Sequence, residues 1–137
     1  MKIYVIDTSA LIRFYIPDGP CPILLEESID SAFKAETTLI MPELALAEAG
    51  QVLLKKEKSE YLTQAEVDEI ITAILELPIE IVGHHDYLED AISLARLHNL
   101  TVYDSLFLAV AIRKGGELIS VDERLKKAFK AILSKTD

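Results

Sequence analysis

Four acidic residues differ from the other acids of the chain because their neighbours are apolar. Most of the 23 Asp and Glu residues lie in polar stretches, where solvation accounts for them. Asp7 follows Ile-Tyr-Val-Ile, Asp122 follows Leu-Ile-Ser-Val, Asp104 comes just before the apolar stretch 106–110, and Glu48 interrupts a run of Leu and Ala. A charge in such surroundings is costly unless it is compensated. We therefore predict that these four carboxylates share one function.

Divalent metal binding is the chemistry that best suits such a set. Crowded carboxylates repel one another, which raises their pKa values or requires a cation. The set contains no His or Cys, and oxygen ligands favour Mg²⁺ or Mn²⁺ over Zn²⁺. One or two such ions would lower the pKa of water and stabilise the leaving oxygen of a phosphodiester. We expect Asp7, Asp104 and Asp122 to be the main ligands, with Glu48 ligating directly or through water.

Each of these residues also has a purely structural interpretation. Asp is a favoured N-cap, so each of the three Asp residues could serve merely as the cap of a helix. Glu48 could lie on an exposed rim. Ser9 and Ser120 stand two residues after Asp7 and two before Asp122. Their hydroxyls could orient a carboxylate or a bound water, or could make only capping and turn hydrogen bonds. His84 and His85 are expected in a surface turn, and the sequence defines no role for them.

The elements that must position these residues are short strands alternating with helices. Strands are predicted over residues 3–6, 38–41, 79–82, 101–103 and 118–121. Helices are predicted over 10–14, 23–35, 43–58, 86–98, 106–113 and 122–133, with another opening at a capping box at 63–66. This order predicts one α/β domain over residues 1–137, a three-layer α/β/α sandwich whose mostly parallel central sheet has about five strands. Asp7, Asp104 and Asp122 would then each follow a strand, at one edge of the sheet.

Charge and composition restrict the partners and the compartment. The net charge of −9 argues against a nucleic-acid partner, but residues 113–137 carry about +3 and the rest of the chain about −12. A local basic patch could hold a phosphate backbone, with Arg113, Lys114, Arg124 and Lys127 as its candidates. The single cysteine, Cys21, excludes an intramolecular disulfide. No apolar run is long enough to span a bilayer, so we expect a soluble, cytoplasmic protein without a membrane partner.

Four segments of the chain together resemble the signature blocks of the PIN-domain nucleases. They are Val-Ile-Asp-Thr-Ser-Ala-Leu at 5–11, Pro-Glu-Leu-Ala-Leu-Ala-Glu at 42–48, Val-Tyr-Asp-Ser-Leu-Phe-Leu-Ala-Val-Ala at 102–111 and Leu-Ile-Ser-Val-Asp-Glu-Arg-Leu at 118–125. Each block alone is weakly specific, but their order and spacing agree with the family over nearly the whole chain. Two positions depart from the commonest pattern: Gln51 stands where many members have Asn, and Ser120 where Thr is commoner.

The resemblance implies an endoribonuclease that uses Mg²⁺ or Mn²⁺, with one or two ions held by Asp7, Glu48, Asp104 and Asp122. Ser9 and Ser120 match the small polar residues beside the first and fourth acids of the family. The size is similar to that of the toxins of prokaryotic toxin–antitoxin pairs, which implies an RNA substrate, a homodimer and a cognate antitoxin protein.

Two other interpretations stay open. The chain could be a stand-alone RNA-processing nuclease, or a PIN-fold scaffold that binds protein with weak or no catalysis. A phosphoaspartyl hydrolase would need a second Asp where this chain has Ser9.

Overall fold

The computed structural model of the chain describes residues 1–135, so Thr136 and Asp137, the last two residues of the predicted domain, lie outside the described residues. The strands are β1 (Lys2–Ile6), β2 (Thr37–Pro42), β3 (Ile79–Val82) and β4 (Glu117–Ile119). The helices are α1 (Thr8–Tyr15), α2 (Ile23–Phe33), α3 (Leu44–Lys58), α4 (Gln64–Glu76), α5 (Leu88–His98), α6 (Val102–Lys114) and α7 (Glu123–Lys135). A single 3₁₀ turn, His85–Tyr87, precedes α5.

The four strands form one parallel sheet in the order β3-β2-β1-β4. Val5 is paired with Ile40 on one side and with Leu118 on the other. The central strands β1 and β2 end in fully buried residues, as expected when helices cover both faces of a parallel sheet. The predicted parallel sheet is confirmed, and the carboxyl ends of β1 and β4 lie side by side.

Helix α6 is the central helix of the molecule. Seven consecutive residues, Ser105–Ala111, are buried, because the helix packs against β1, β2 and β4 and has α5 along its side. Helix α2 packs against β2. The predicted three-layer α/β/α sandwich is confirmed.

The predicted strand at 101–103 is wrong, and within residues 1–135 the sheet has four strands instead of about five. Asn99 caps the end of α5 in the left-handed conformation, and only three residues, 99–101, separate α5 from α6. The Thr101 hydroxyl accepts a hydrogen bond from the Asp104 amide at 3.1 Å. Thr101 is therefore an N-cap, and the β-branched Thr-Val pair starts a helix because tertiary packing outweighs its strand propensity.

Several predicted boundaries also shift. The helix expected over 86–98 begins at Leu88, after the 3₁₀ turn. The last strand ends at Ile119, so Ser120 and Val121 lie in the loop that follows. Gly115 ends α6 with φ of 65°, a conformation that glycine adopts without strain. Gly116 allows a close approach to β1, since a Cβ there would collide with Ile3.

None of the helices in residues 1–135 is both long enough and apolar enough to cross a lipid bilayer.

Candidate active site

All four predicted carboxylates line one cavity at the carboxyl end of β1. The cavity has a volume of about 420 Å³. Asp7, Glu48, Asp104 and Asp122 come from four separate parts of the chain, and side chains of α1 and α3 complete the walls. The convergence expected from the sequence is therefore present, although Asp104 reaches the cavity from a helix that does not follow a strand.

Asp7 is the most buried member of the group, with 4% of its surface exposed. Its Oδ1 accepts hydrogen bonds from the Ala10 amide at 2.9 Å and from the Ser9 hydroxyl at 2.8 Å. Its Oδ2 accepts a bond from the Ser120 hydroxyl. Burial raises the pKa of Asp7 because the charged form loses hydration, and these hydrogen bonds oppose the shift. Asp7 is thus both the N-cap of α1 and a wall of the cavity.

Ser120 connects the first and fourth acids. Besides donating to Asp7, its hydroxyl accepts a hydrogen bond from the Asp122 amide at 2.9 Å. Asp122 accepts hydrogen bonds through Oδ1 from the Arg124 amide at 2.9 Å and the Leu125 amide at 3.4 Å, so it caps α7. The predicted positions of Ser9 and Ser120 beside the carboxylates are observed, and both hydroxyls orient Asp7.

Asp104 lies in the first turn of α6, where Thr101, and not Asp104, caps the helix. The side chain is half-buried. Burial is the main cause that raises its pKa, and the negative charge of Asp122 adds to the shift. The hydrogen bond with Thr101 and the positive charge of Arg124 oppose it. Asp122 therefore lies near enough to repel both Asp7 and Asp104.

Glu48 is held by a residue for which we predicted no role. Thr8, the first residue of α1, donates a hydrogen bond from its hydroxyl to Oε1 of Glu48 on α3 at 2.8 Å. Glu48 is half-buried, because its side of α3 faces the open cavity.

The four carboxylates suit a hard divalent cation by their chemistry, but they are not preassembled around one. Within residues 1–135, no three His, Cys, Asp or Glu side chains are grouped closely enough to hold an ion as they stand. In the same part of the chain, none of the four forms an ion pair with Lys, Arg or His. Carboxylates that form no ion pair repel one another, and a bound cation would offset this repulsion.

The predicted substrate-binding cations are spread over the surface. Arg113 bonds to Asp90 at 2.8 Å and to the Asp86 carbonyl at 2.7 Å, over the ring of Tyr87. Lys114 and Lys127 do not line the acidic cavity either. Arg124 is the one of the four that acts on the site electrostatically, through Asp104, although its guanidinium donates to the Asn99 carbonyl. His84 and His85 are exposed, outside the cavity, as expected for a surface turn.

Two cations that we did not predict line the cavity itself, Arg13 of α1 and Lys56 of α3. Helical spacing could have identified both. Lys56 follows Glu48 by eight residues, with Val52 halfway between them in the same cavity wall, and Arg13 follows Ser9 by four. Residues at such intervals share one face of a helix.

Comparisons with known proteins agree with this architecture. The profile of the PIN domain family matches residues 4–130. The chain is 27% identical over 132 residues to Ribonuclease VapC3 of Pyrobaculum aerophilum, covering 95% of this chain and 97% of that protein.

Several solved structures are similar in fold, and three of them illustrate the similarity. PAE2754 of Pyrobaculum aerophilum has a TM-score of 0.71 and 21% identity, over 98% of this chain and 88% of that one. The Mycobacterium tuberculosis toxin VapC20, described as cleaving the sarcin-ricin loop, has a TM-score of 0.65 and 13% identity, over 91% and 94%. VapBC2 of Rickettsia felis, bound to a DNA fragment from its promoter, has a TM-score of 0.66 and 16% identity, over 92% of each chain.

Proposed function

Because the chain belongs to the PIN domain family, we propose that it is an endoribonuclease that depends on Mg²⁺ or Mn²⁺ and hydrolyses RNA phosphodiester bonds in the acidic cavity. The observation that carries this proposal is that Asp7, Glu48, Asp104 and Asp122 line one cavity, while none of them forms an ion pair with a Lys, Arg or His among residues 1–135. The similarity to Ribonuclease VapC3 supports RNA as the substrate.

The carboxylates of Asp7, Asp104 and Asp122 would hold the cation, and Glu48 would hold it directly or through water. A bound divalent cation would lower the pKa of a water molecule and offset the charge on the reacting phosphate. Ser9 and Ser120 keep Asp7 in one orientation, and Thr8 does the same for Glu48. These hydrogen bonds reduce the side-chain motion that would otherwise have to be lost on binding.

A role as the toxin of a toxin–antitoxin pair is the finer part of the proposal. Two of the similar structures support this role, since one is a toxin and the other is a VapBC structure. The role would also imply a cognate antitoxin and a homodimer. A stand-alone RNA-processing nuclease is the other role that the same site would serve. A reading frame for a small partner protein beside this one would favour the toxin role.

The assignment of the acidic cavity as the active site is tested by changing Asp104 to Asn. We expect the purified wild-type protein to cleave a labelled single-stranded RNA with Mn²⁺ or Mg²⁺ and to stop when EDTA is added. Asp104→Asn should lower the cleavage rate by more than about a hundredfold, since removal of a metal ligand should cost at least as much as removal of its supporting residues.

Asp68→Asn is the matched control, because Asp68 is an exposed carboxylate on α4 that does not line the cavity. Full activity in Asp104→Asn would refute the site. No cleavage by the wild-type protein with either metal would favour the catalytically inactive scaffold. The lack of a preassembled ion site in residues 1–135 supports that alternative.

A further inference from the structure

The acidic cavity has a cationic side that the four carboxylates leave unused. Arg13 and Lys56 line the same cavity as the acids, yet neither forms an ion pair with any of the four. An RNA strand bound at the cavity would carry several negatively charged phosphates close to it. A cavity lined only by carboxylates would repel the phosphates beside the one that reacts, whereas nearby cations would attract them.

Lys56 is held at the cavity by the loop between α1 and α2. Its ammonium lies 3.0 Å from Asp18 Oδ2, and Tyr61 donates a hydrogen bond to Asp18 Oδ1 at 3.2 Å. The same ammonium is 4.7 Å from the centre of the Tyr61 ring, a cation–π contact. The hydrogen bond from Lys56 is the main cause that lowers the pKa of Asp18.

Arg13 rests against the same loop. Its Nη1 donates a long hydrogen bond of 3.4 Å to the Pro20 carbonyl. The guanidinium lies so close to Gly19 that a Cβ on that residue would collide with it. A guanidinium has five N–H donors, so most of the donors of Arg13 are left for another acceptor.

The Lys56–Asp18 pair is suited to exchange. The two side chains are 24% and 41% exposed, and ion pairs at such exposure contribute little to stability. A phosphate can therefore replace the Asp18 carboxylate as the partner of Lys56 at small cost. Arg13 adds the planar donor group that binds phosphate oxygens in pairs.

We propose that Arg13 and Lys56 form a subsite for an RNA phosphate next to the scissile one, and that Asp18 occupies Lys56 in the free protein and competes with that phosphate. The subsite rests on the proposed ribonuclease function and adds to it the residues that hold the substrate backbone. Asp18 is a competitor that neutralises the charge of Lys56 when no RNA is present, whereas Arg13 keeps its positive charge.

The test separates binding from cleavage. Binding of a short fluorescein-labelled single-stranded RNA is measured by anisotropy in EDTA, with every variant made in the Asp104→Asn background. Lys56→Ala and Arg13→Ala should each weaken binding about three- to tenfold and lower the slope of log K against log salt by about 0.7, the loss of one phosphate contact. Lys55→Ala is the matched control, because it removes the same charge from α3 but from an exposed residue outside the cavity.

Asp18→Asn distinguishes a subsite from a structural ion pair. If Asp18 competes with phosphate, Asp18→Asn should tighten RNA binding. If the Lys56–Asp18 pair is purely structural, its loss should lower the unfolding temperature and leave RNA binding unchanged. The subsite would be overturned if RNA bound equally well to Lys56→Ala, Arg13→Ala and Lys55→Ala. The proposed function would still stand in that case if the protein with intact Asp104 cleaved RNA. If the protein with intact Asp104 neither bound nor cleaved RNA, the proposed function would itself be refuted.

Discussion

Asp7 accepts hydrogen bonds from two hydroxyls and one amide at the point where β1 ends and α1 begins. Capping and catalysis are often treated as competing explanations for such an Asp, yet here one carboxylate oxygen caps the helix and the same residue lines the cavity. Its position after four apolar residues made Asp7 predictable, because strand, acid and helix are adjacent in the chain. Its bond with Ser120 was not predictable from local pattern, since 113 positions separate the two residues.

The burial of Asp7 leads to a prediction about stability and pH in metal-free buffer. A carboxyl whose pKa is raised in the folded state stabilises the fold fully below its unfolded value, near 3.8, and loses that contribution as pH rises through the folded value. At pH 7 the wild-type protein therefore carries the cost of a buried charge.

Asp7→Asn should remove this cost and abolish cleavage. We expect its urea midpoint at pH 7 to exceed that of the wild type, with the difference shrinking as pH falls toward 4. Urea titrations at several pH values in EDTA measure this, and Ser9→Ala, which keeps the charge, is the control. A midpoint lower than wild type at pH 7 would mean that the hydrogen bonds outweigh the desolvation.

The start of α6 shows how an element positions a functional residue. Thr101 caps the helix through the Asp104 amide, so the backbone that carries the carboxylate is held by the cap. Helix α4 has an equivalent cap, in which the Thr63 hydroxyl accepts from the Glu66 amide at 3.1 Å, and this one lies away from the cavity. The chain thus provides two similar caps with different neighbours.

Replacing each Thr by Ala should separate helix stability from function. Both Thr101→Ala and Thr63→Ala should lower the free energy of unfolding by about 1 kcal/mol. Only Thr101→Ala should also slow RNA cleavage, because only that cap holds Asp104. Chemical denaturation and cleavage rates on the two variants check this, and equal activity in both would show that Asp104 needs no support from its cap.

The whole molecule has a net charge of −9, and four carboxylates that form no ion pair within residues 1–135 are concentrated at one edge of its sheet. Asp7 and Asp104 both have raised pKa values in part because Asp122 is close. The fold therefore stores repulsion at the site, and a cation that relieves it should stabilise the protein as a whole.

Mn²⁺ should raise the unfolding temperature of the wild-type protein. At a concentration about one hundred times its Kd, a ligand that binds only the folded state adds about 2.7 kcal/mol. The double variant Asp104→Asn, Asp122→Asn should show little or no rise, and differential scanning fluorimetry measures both. An equal rise in the double variant would place the ion elsewhere, and no rise in the wild type at millimolar Mn²⁺ would favour the scaffold.

The sequence alone determined the features that depend on neighbouring residues: the alternation of strands and helices, the parallel sheet, and the places of Asp7 and Asp122 after strands. These follow from apolar periodicity and capping preferences, which act within a few residues. The tertiary structure decided what depends on packing between distant segments. It turned 101–103 into the start of a helix, joined Thr8 to Glu48, and left Arg113 outside the cavity while bringing Arg13 and Lys56 into it. Such contacts arise from how the helices pack on the sheet. Helical spacing places Lys56 on the face of Glu48 and Arg13 on the face of Ser9, but only the packing of α1 against α3 brings the two faces to one cavity.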